Sequence, residues 1–334
     1  MTDFLSVLLP CRNAEAFVSD ALASIERQTF TDFEVIAVDD GSTDATAAIL
    51  ADRAAGDPRV RVLRTPARGI ASALTTACAA ARAETVARMD ADDVAEPDRF
   101  ARQLEWLDAR PDHAGCGTGV RYFPRALVRD GASRYEDWIN GTRTADDVVR
   151  DAFIECPLAH PTLMLRRSAL DRVGGYRDRG WPEDYDLVLR LLAAGQRLGN
   201  VPAVLHHWRE RPDRATRTDA RYSLDAFDRC KAHHLARTHL AARDAVVCGA
   251  GPVGKRLARA LLAEGARLRA FVELDPRKIG QCIHGAPVLG YDAVPLHSDA
   301  YFLAAVAGGA ARSAIRTALR DAGLTEVEDF RAVA

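Results

Sequence analysis

The chain has 334 residues, long enough for about two domains at the usual ~150 residues each. Its 45 basic and 47 acidic residues leave a formal charge of −2, which gives no global drive toward nucleic acid or an anionic membrane. Hydrophobic residues at 48% and charged residues at 28% fit a soluble globular protein and exclude a disordered one. Only three of the basic residues are lysines, and so strong an arginine bias beside abundant alanine reads as genomic composition. Seven scattered cysteines with no CxxC pair indicate reduced thiols, a cytoplasmic setting and no zinc site. The start MTDFLSVLLPCRN lacks a basic leader and its apolar run stops at Pro10, so no signal peptide is expected. No apolar stretch is long enough to cross a bilayer, which leaves at most a peripheral membrane association.

Along the chain, Phe4–Leu9 reads as a buried strand ended by Pro10, and residues 15–28 as a helix with Phe17, Ala21 and Ile25 on one face. Glu34–Val38 is a second strand running into Asp39-Asp40-Gly41-Ser42, with Ser42 placed to cap the next helix. Arg59–Leu63 is a third strand, and the helix after it aligns Ile70, Leu74 and Cys78. Glu84–Met89 is a fourth strand leading into Asp90-Ala91-Asp92-Asp93, and Pro97 opens a helix with Phe100, Leu104 and Leu107 inward. Residues 111–160 read as loops over a cleft. Asp184–Ala194 is a helix stopped by Gly195, 197–205 a strand, Arg209–Asp219 an arginine-rich loop and 220–242 a long helix. A second α/β unit follows, with strands at 245–248, 268–274 and 301–307 and helices ending near Glu264 and over 310–322. Strands alternating with helices predict a mainly parallel sheet covered on both sides, with ligand sites at the carboxyl ends of strands. Both acidic clusters fall at such ends.

An Asp-x-Asp past a strand offers hard oxygen ligands of the kind that Mg²⁺ or Mn²⁺ shares with a diphosphate. The same pattern also serves as ordinary loop acids. Four segments taken in order narrow the choice: LPCRN (9–13), VIAVDDGSTD (35–44), RMDADD (88–93) and PEDYDLVLRL (182–191). Together with HPTLMLRRSALDRVGGYRD (160–178), they resemble the inverting family-two glycosyltransferases of the GT-A fold over roughly residues 3–220.

That resemblance implies a nucleotide pocket lined by Pro10, Arg12, Asn13, Asp39, Asp40 and Asp90, with Arg209 in a loop that closes over the nucleotide. It implies a Mn²⁺ or Mg²⁺ ion held by Asp92 and Asp93, with a basic residue of the His206-His207 pair reaching metal or diphosphate; His207 is taken as the ligand. It implies Asp184 as general base with Glu183 beside it. A positioned base contributes about 10²–10⁴-fold to such a transfer. The expected partners are a nucleotide-sugar donor, UDP-linked by family weight, and a glycan, glycolipid or other hydroxyl acceptor. The absence of Gln-x-x-Arg-Trp argues against a processive synthase. The chain is compatible with a homo-oligomer.

VVCGAGPVG (246–254) places a GxGxxG between a strand and a helix, with Glu273 24 residues beyond Gly249. With FVELDPRKIGQCIHGAPVLG (271–290), it resembles the small Rossmann-like domain that precedes some sugar acyltransferases and nucleotide-sugar dehydratases. This implies a second nucleotide or nucleotide-sugar site at Gly249, Gly251, Gly254 and Glu273. The expected organisation is a GT-A domain over 1–220, a linker helix over 221–243 and a Rossmann-like α/β domain over 244–334. Two other readings stay open: a non-catalytic nucleotide-sugar sensor or scaffold, and a nicotinamide oxidoreductase acting through the C-terminal turn.

Overall fold

The computed structural model describes residues 4–334. The chain forms two compact units. The first comprises residues up to Val148, Pro157–Arg179 and Asp186–Arg217; the second comprises Val149–Cys156, Gly180–Tyr185 and Thr218–Ala334.

In chain order the elements are β1 (Leu5–Cys11), α1 (Val18–Glu26), β2 (Phe33–Asp40), α2 (Thr46–Gly56), β3 (Val60–Thr65), α3 (Ile70–Ala80), β4 (Thr85–Arg88) and β5 (Val94–Ala95). They continue through α4 (Arg99–Asp108), β6 (His113–Phe123), α5 (Asp130–Gly141), α6 (Ala145–Asp151), β7 (Met164–Arg166), α7 (Arg167–Arg172), α8 (Glu183–Ala193), β8 (Arg197–Arg209) and α9 (Ala215–Thr218). After these come α10 (Leu224–Arg237), β9 (Ala245–Cys248), α11 (Pro252–Ala263), β10 (Leu268–Val272), β11 (Cys282–Ile283), β12 (Ala286–Leu289), β13 (Tyr301–Ala304), α12 (Gly309–Asp321) and β14 (Phe330–Ala332).

The first unit carries an eight-stranded sheet in the order β3-β2-β1-β4-β7-β6-β8-β5. It is parallel through β3-β2-β1-β4 and mixed beyond, because β7 runs antiparallel to both β4 and β6, and β5 antiparallel to β8. Every residue of β2 is buried, as a strand covered on both faces requires. One face of β1 (Leu5, Val7, Leu9) packs with Val18, Leu22 and Ile25 of α1 and Phe100 of α4. β1 runs through Pro10 to Cys11 and does not stop at the proline. The Leu8 carbonyl accepts from Met89 N, so by alternation Pro10 faces the same side, past the end of β4, and no ladder bond is lost.

Residues 111–160 are not loops. They hold the long buried strand β6 and the helices α5 and α6. β6 reads HAGCGTGVRYF, and its glycines hide the strand by breaking apolar alternation. They are there because neighbours come close: a Cβ on Gly115 would lie 2.6 Å from the Met164 carbonyl oxygen. Two other boundaries also differ. Ser42 does not cap α2, which begins at Thr46; its hydroxyl accepts from Asn13 N instead. β8 extends to Arg209, so His206 to Arg209 lie within the strand and not after it.

The second unit has a sheet in the order β11-β12-β10-β9-β13-β14, parallel except for the β11/β12 hairpin. Its core joins Val246, Val272, Phe302 and Phe330 with Ile315 and Leu319 of α12. α10, capped by Ser223 Oγ accepting from Ala226 N, spans Leu224–Arg237 within this unit. The buried Lys231 Nζ donates to the carbonyls of Ile154 (2.8 Å) and Val333 (2.9 Å). No helix among the described residues is long and apolar enough to cross a membrane.

Candidate active site

Two loops at the carboxyl ends of β1 and β2 are zipped together. Asn13, in the left-handed region at φ 46°, accepts from Thr43 N at 2.9 Å, while its own amide donates to Ser42 Oγ. Glu15 Oε2 accepts from Ala45 N, and Glu15 N donates to Asp44. Asn13 therefore shapes the loop. Asp40 does similar work: its oxygens accept from Arg68 N and Gly69 N, each at 2.8 Å, and Arg12 lies 3.7 Å away with half its side chain exposed.

Asp39 is different. Its Oδ1 accepts from Ser42 N at 3.0 Å, but Oδ2 is buried and has no hydrogen-bond partner, with Arg64 Nε 3.3 Å off without making one. A buried acceptor left unmade costs about 1–3 kcal/mol, so this oxygen is poised for a donor from a ligand.

The acid turn after β4 brings ligand oxygens of Asp90, Asp92 and Asp93 within 4.8 Å of one another. Asp90 Oδ2 pairs with Arg88 Nη1 at 2.5 Å and Asp92 Oδ2 with Arg211 Nε at 3.0 Å; both carboxylates are partly exposed, at 24% and 19%. Burial, then the charges of Asp93 and Asp90, pushes Asp92 up to about 7. Burial and Asp90 push Asp93 up to about 8, against the Arg209 amide and the Arg214 and Arg88 guanidiniums. The crowding of negative charge around Asp90 and Asp92 suits a divalent cation of the hard-oxygen class. Strand register brings this turn and Asp39 to the end of β1: Cys11 pairs with Asp39 on one side, and Leu8 with Arg88, two residues before Asp90, on the other.

Asp93 is fully buried and has other work. Its Oδ1 accepts from Arg209 N at 2.7 Å, and its Oδ2 lies 2.8 Å from His206 Nε2. Burial and Asp90 favour the protonated carboxyl, but with Arg209 N at Oδ1 and His206 Nε2 at Oδ2 the hydrogen-bond geometry favours the ionised one, which alone accepts at both oxygens. Burial, then Arg99, holds His206 well below the usual histidine range. His207 turns to the opposite face of β8, where Nε2 lies 2.5 Å from Glu96 Oε1, away from the three aspartates. Of the expected metal ligands, Asp93 thus lies in the acid cluster with its oxygens engaged by Arg209 and His206, and His207 lies against Glu96. Arg209 donates to the Asp92 carbonyl (2.6 Å) and to Asp20 (2.9 Å) and stacks over Phe17 and Phe123. Sequence reasoning missed Arg88 and Arg99, which look like any charged residues of a strand end and a helix.

Glu183 and Asp184 belong to the second unit and start α8, where a helix N-terminus favours carboxylates. Glu183 is buried and accepts from Tyr222 Oη at 3.0 and 3.2 Å. Asp184 is partly exposed and its Oδ1 accepts from Tyr185 N. In the same unit the glycine turn leads into α11. Gly249 has φ 109°, and a Cβ on Gly254 would fall on the Gly249 carbonyl oxygen, whereas a Cβ on Gly251 would meet nothing within 4 Å. Glu273 accepts from Ala250 N (3.0 Å), Lys278 Nζ (2.9 Å) and Leu274 N (2.9 Å), so its carboxylate is spent on the turn itself.

Residues 6–174, just over half of the chain, match the family model described as Glycosyl transferase family 2. The chain belongs to that family. Among its relatives is the amylovoran biosynthesis glycosyltransferase AmsE of Erwinia amylovora, 28% identical over 203 residues that cover 60% of this chain and 74% of that one. Among solved structures, S. aureus TarS in complex with UDP-GlcNAc superposes with a TM-score of 0.56 at 17% identity, covering 79% of this chain and 71% of that one. The mannosyltransferase PcManGT of Pyrobaculum calidifontis, in complex with GDP-Man and Mn²⁺, superposes with a TM-score of 0.51 at 20% identity, covering 96% and 81%. At these identities the two superpositions carry the fold, which is GT-A-like. This family-two glycosyltransferase keeps its acid turn and its orphaned Asp39 oxygen at the strand ends, where an open α/β sheet places its ligands.

Proposed function

We propose that this family-two glycosyltransferase moves a sugar from a nucleoside-diphosphate donor to a hydroxyl acceptor during glycan assembly, with inversion at the anomeric carbon. The carrying observation is that strand register brings to the end of β1 both a buried acceptor without a hydrogen-bond donor, Asp39 Oδ2, and the partly exposed carboxylates Asp90 and Asp92.

Asp39 would accept from a base or ribose donor of the nucleotide. Asp90 and Asp92 would hold Mn²⁺ or Mg²⁺, which when bound neutralises charge growing on the departing diphosphate. Arg12 and Arg209 add guanidinium charge near the same strand ends. In the transfer the acceptor oxygen attacks the anomeric carbon and its proton passes to a carboxylate base. The bond from that carbon to the diphosphate oxygen breaks, and the nucleotide leaves with the electron pair. The base assignment rests with Asp184 on its motif, PEDYDLVLRL. The mixed record of the structural relatives, UDP-GlcNAc in one and GDP-Man in another, leaves the donor base and sugar to experiment.

The test is consumption of UDP- and GDP-sugars by the full chain, with and without chelator, in wild type, Asp92→Asn and Asp184→Asn. Loss of turnover on chelation, with restoration by Mn²⁺, supports the cation. Unchanged turnover in Asp184→Asn removes the base, and no turnover of any nucleotide-sugar removes the reading in favour of a sensor.

A further inference from the structure

We propose that Arg99, His206 and Asp93 form a buried positioning relay that sets the acid turn in place for the cation, with His206 serving as a hydrogen-bond donor and not as a metal ligand. The inference rests on the reading of Asp90 and Asp92 as the cation site.

All three side chains are fully buried, and they come from α4, β8 and the turn between β4 and β5. Arg99 is fixed on every side. Its Nε donates to Gln103 Oε1 at 2.9 Å and its Nη2 to the Arg88 carbonyl at 2.7 Å, while Nη1 lies 3.3 Å from both Met89 Sδ and His206 Nδ1. Gln103 is itself held, donating to the Thr162 carbonyl at 2.8 Å, so its Oε1 is the atom that faces Arg99.

A guanidinium can only donate, so His206 Nδ1 must present its lone pair to Arg99. The neutral ring then carries its proton on Nε2, 2.8 Å from Asp93 Oδ2, and donates there. A ring whose two nitrogens are committed to Arg99 and Asp93 has no lone pair left for a metal. Asp93 passes the constraint on, because its Oδ1 takes Arg209 N at 2.7 Å and so fastens the turn to the end of β8. Two further bonds close the seam: Arg209 Nε to the Asp92 carbonyl, and the short ladder of β5 on β8 at Ala95 and His206. Asp90 and Asp92 sit on the part of the turn that this seam holds still. A ligand pair held by a fixed frame binds its ion without first ordering itself.

The relay makes a prediction that a ligand role does not. Glutamine places an N–H donor close to where Nε2 stands, so His206→Gln keeps the bond to Asp93 while removing the imidazole; His206→Leu removes both. Mn²⁺ binding is read directly from the loss of the free-ion electron paramagnetic resonance signal in the presence of UDP, with circular dichroism reporting the fold. We expect His206→Leu to weaken Mn²⁺ binding at least tenfold and His206→Gln by less than threefold. Asp93→Asn and Arg99→Met, which do not touch each other, should each weaken it about tenfold, and the double variant no more than either alone. Unchanged Mn²⁺ binding in His206→Leu overturns the relay. So does His206→Gln losing the ion, which is the result of a histidine ligand and which decides the matter where His206→Leu does not fold. If wild type itself takes up no Mn²⁺ with UDP present, the cation reading fails before the relay is reached.

Discussion

The guanidinium of Arg211 lies 3.0 Å from the Oδ2 of Asp92, and the same side chain stacks over Phe17. An arginine on the carboxylate assigned to a cation is a competitor for it. Its removal should tighten Mn²⁺ binding in the absence of nucleotide, since a partly exposed pair is worth about 1 kcal/mol, or about fivefold. With donor present, the guanidinium is free to meet the diphosphate, and the same change should raise KM. Calorimetry of Arg211→Gln with Mn²⁺ alone, set beside its steady-state kinetics, reads the two signs separately. A weaker Mn²⁺ affinity in the variant would show that Arg211 supports the turn and does not compete.

Asp39 Oδ2 is a buried acceptor at a strand end that receives no hydrogen bond, with Arg64 Nε 3.3 Å away. Asp39→Asn turns part of this acceptor into a donor and should weaken nucleoside diphosphate binding by about 1–3 kcal/mol, roughly 5- to 150-fold. Titrating UDP and GDP into both proteins measures it. The nucleotide that loses more affinity is the one whose base donates to this oxygen; equal weak binding in wild type and variant would take Asp39 out of the pocket.

In the second unit, Glu273 tests whether the glycine turn is closed by the chain itself. Burial works against its charge, yet Lys278 and the amides of Ala250, Asp275 and Leu274 hold its carboxyl below the usual range. A depressed folded-state value means stability present above the unfolded value of about 4.3 and lost as pH falls through the folded one. Glu273→Gln should therefore cost about 1 kcal/mol at pH 7, and the gap to wild type should narrow between pH 5 and pH 3. Urea unfolding at three pH values follows this. A gap that stays constant across that range would assign the loss to packing and not to charge.

The three glycines of the turn separate packing from ligand approach. Gly254→Ala drives a methyl onto the Gly249 carbonyl and should destabilise the protein by about 1–3 kcal/mol. Gly251→Ala has open space and an ordinary φ of −87°, and should change stability by less than about 0.5 kcal/mol. A pyrophosphate resting on the turn would need the backbone bare at Gly251. Nucleotide binding to the wild-type second unit that is lost in Gly251→Ala would thus restore the dinucleotide-type reading, which Glu273 on Ala250 N argues against.

Much of the first unit was legible because its signals are local. Short apolar runs ending in acids gave β2 and β4, and the alternation of such runs with amphipathic helices gave a parallel start to the sheet. β6 was not legible, since the glycines that let Met164 and Leu165 come close also erase the pattern by which a strand is read. Of the two histidines, neighbouring positions on one strand point to opposite faces, and which face meets the acid turn depends on the pairing of β5 with β8.

The sequence by itself determined the family, the parallel start of the first sheet and the carboxylates at its strand ends, because each is written in residues close together in the chain. Only the tertiary structure decided which partners each of those carboxylates meets. Asp39 keeps an oxygen without a hydrogen-bond donor, Asp90 and Asp92 stay partly exposed, and Asp93 is engaged by His206 and Arg209, more than a hundred residues away. The reason is physical: a buried charge survives only with partners, and partners so distant in sequence are chosen by strand order and register, which no local pattern encodes.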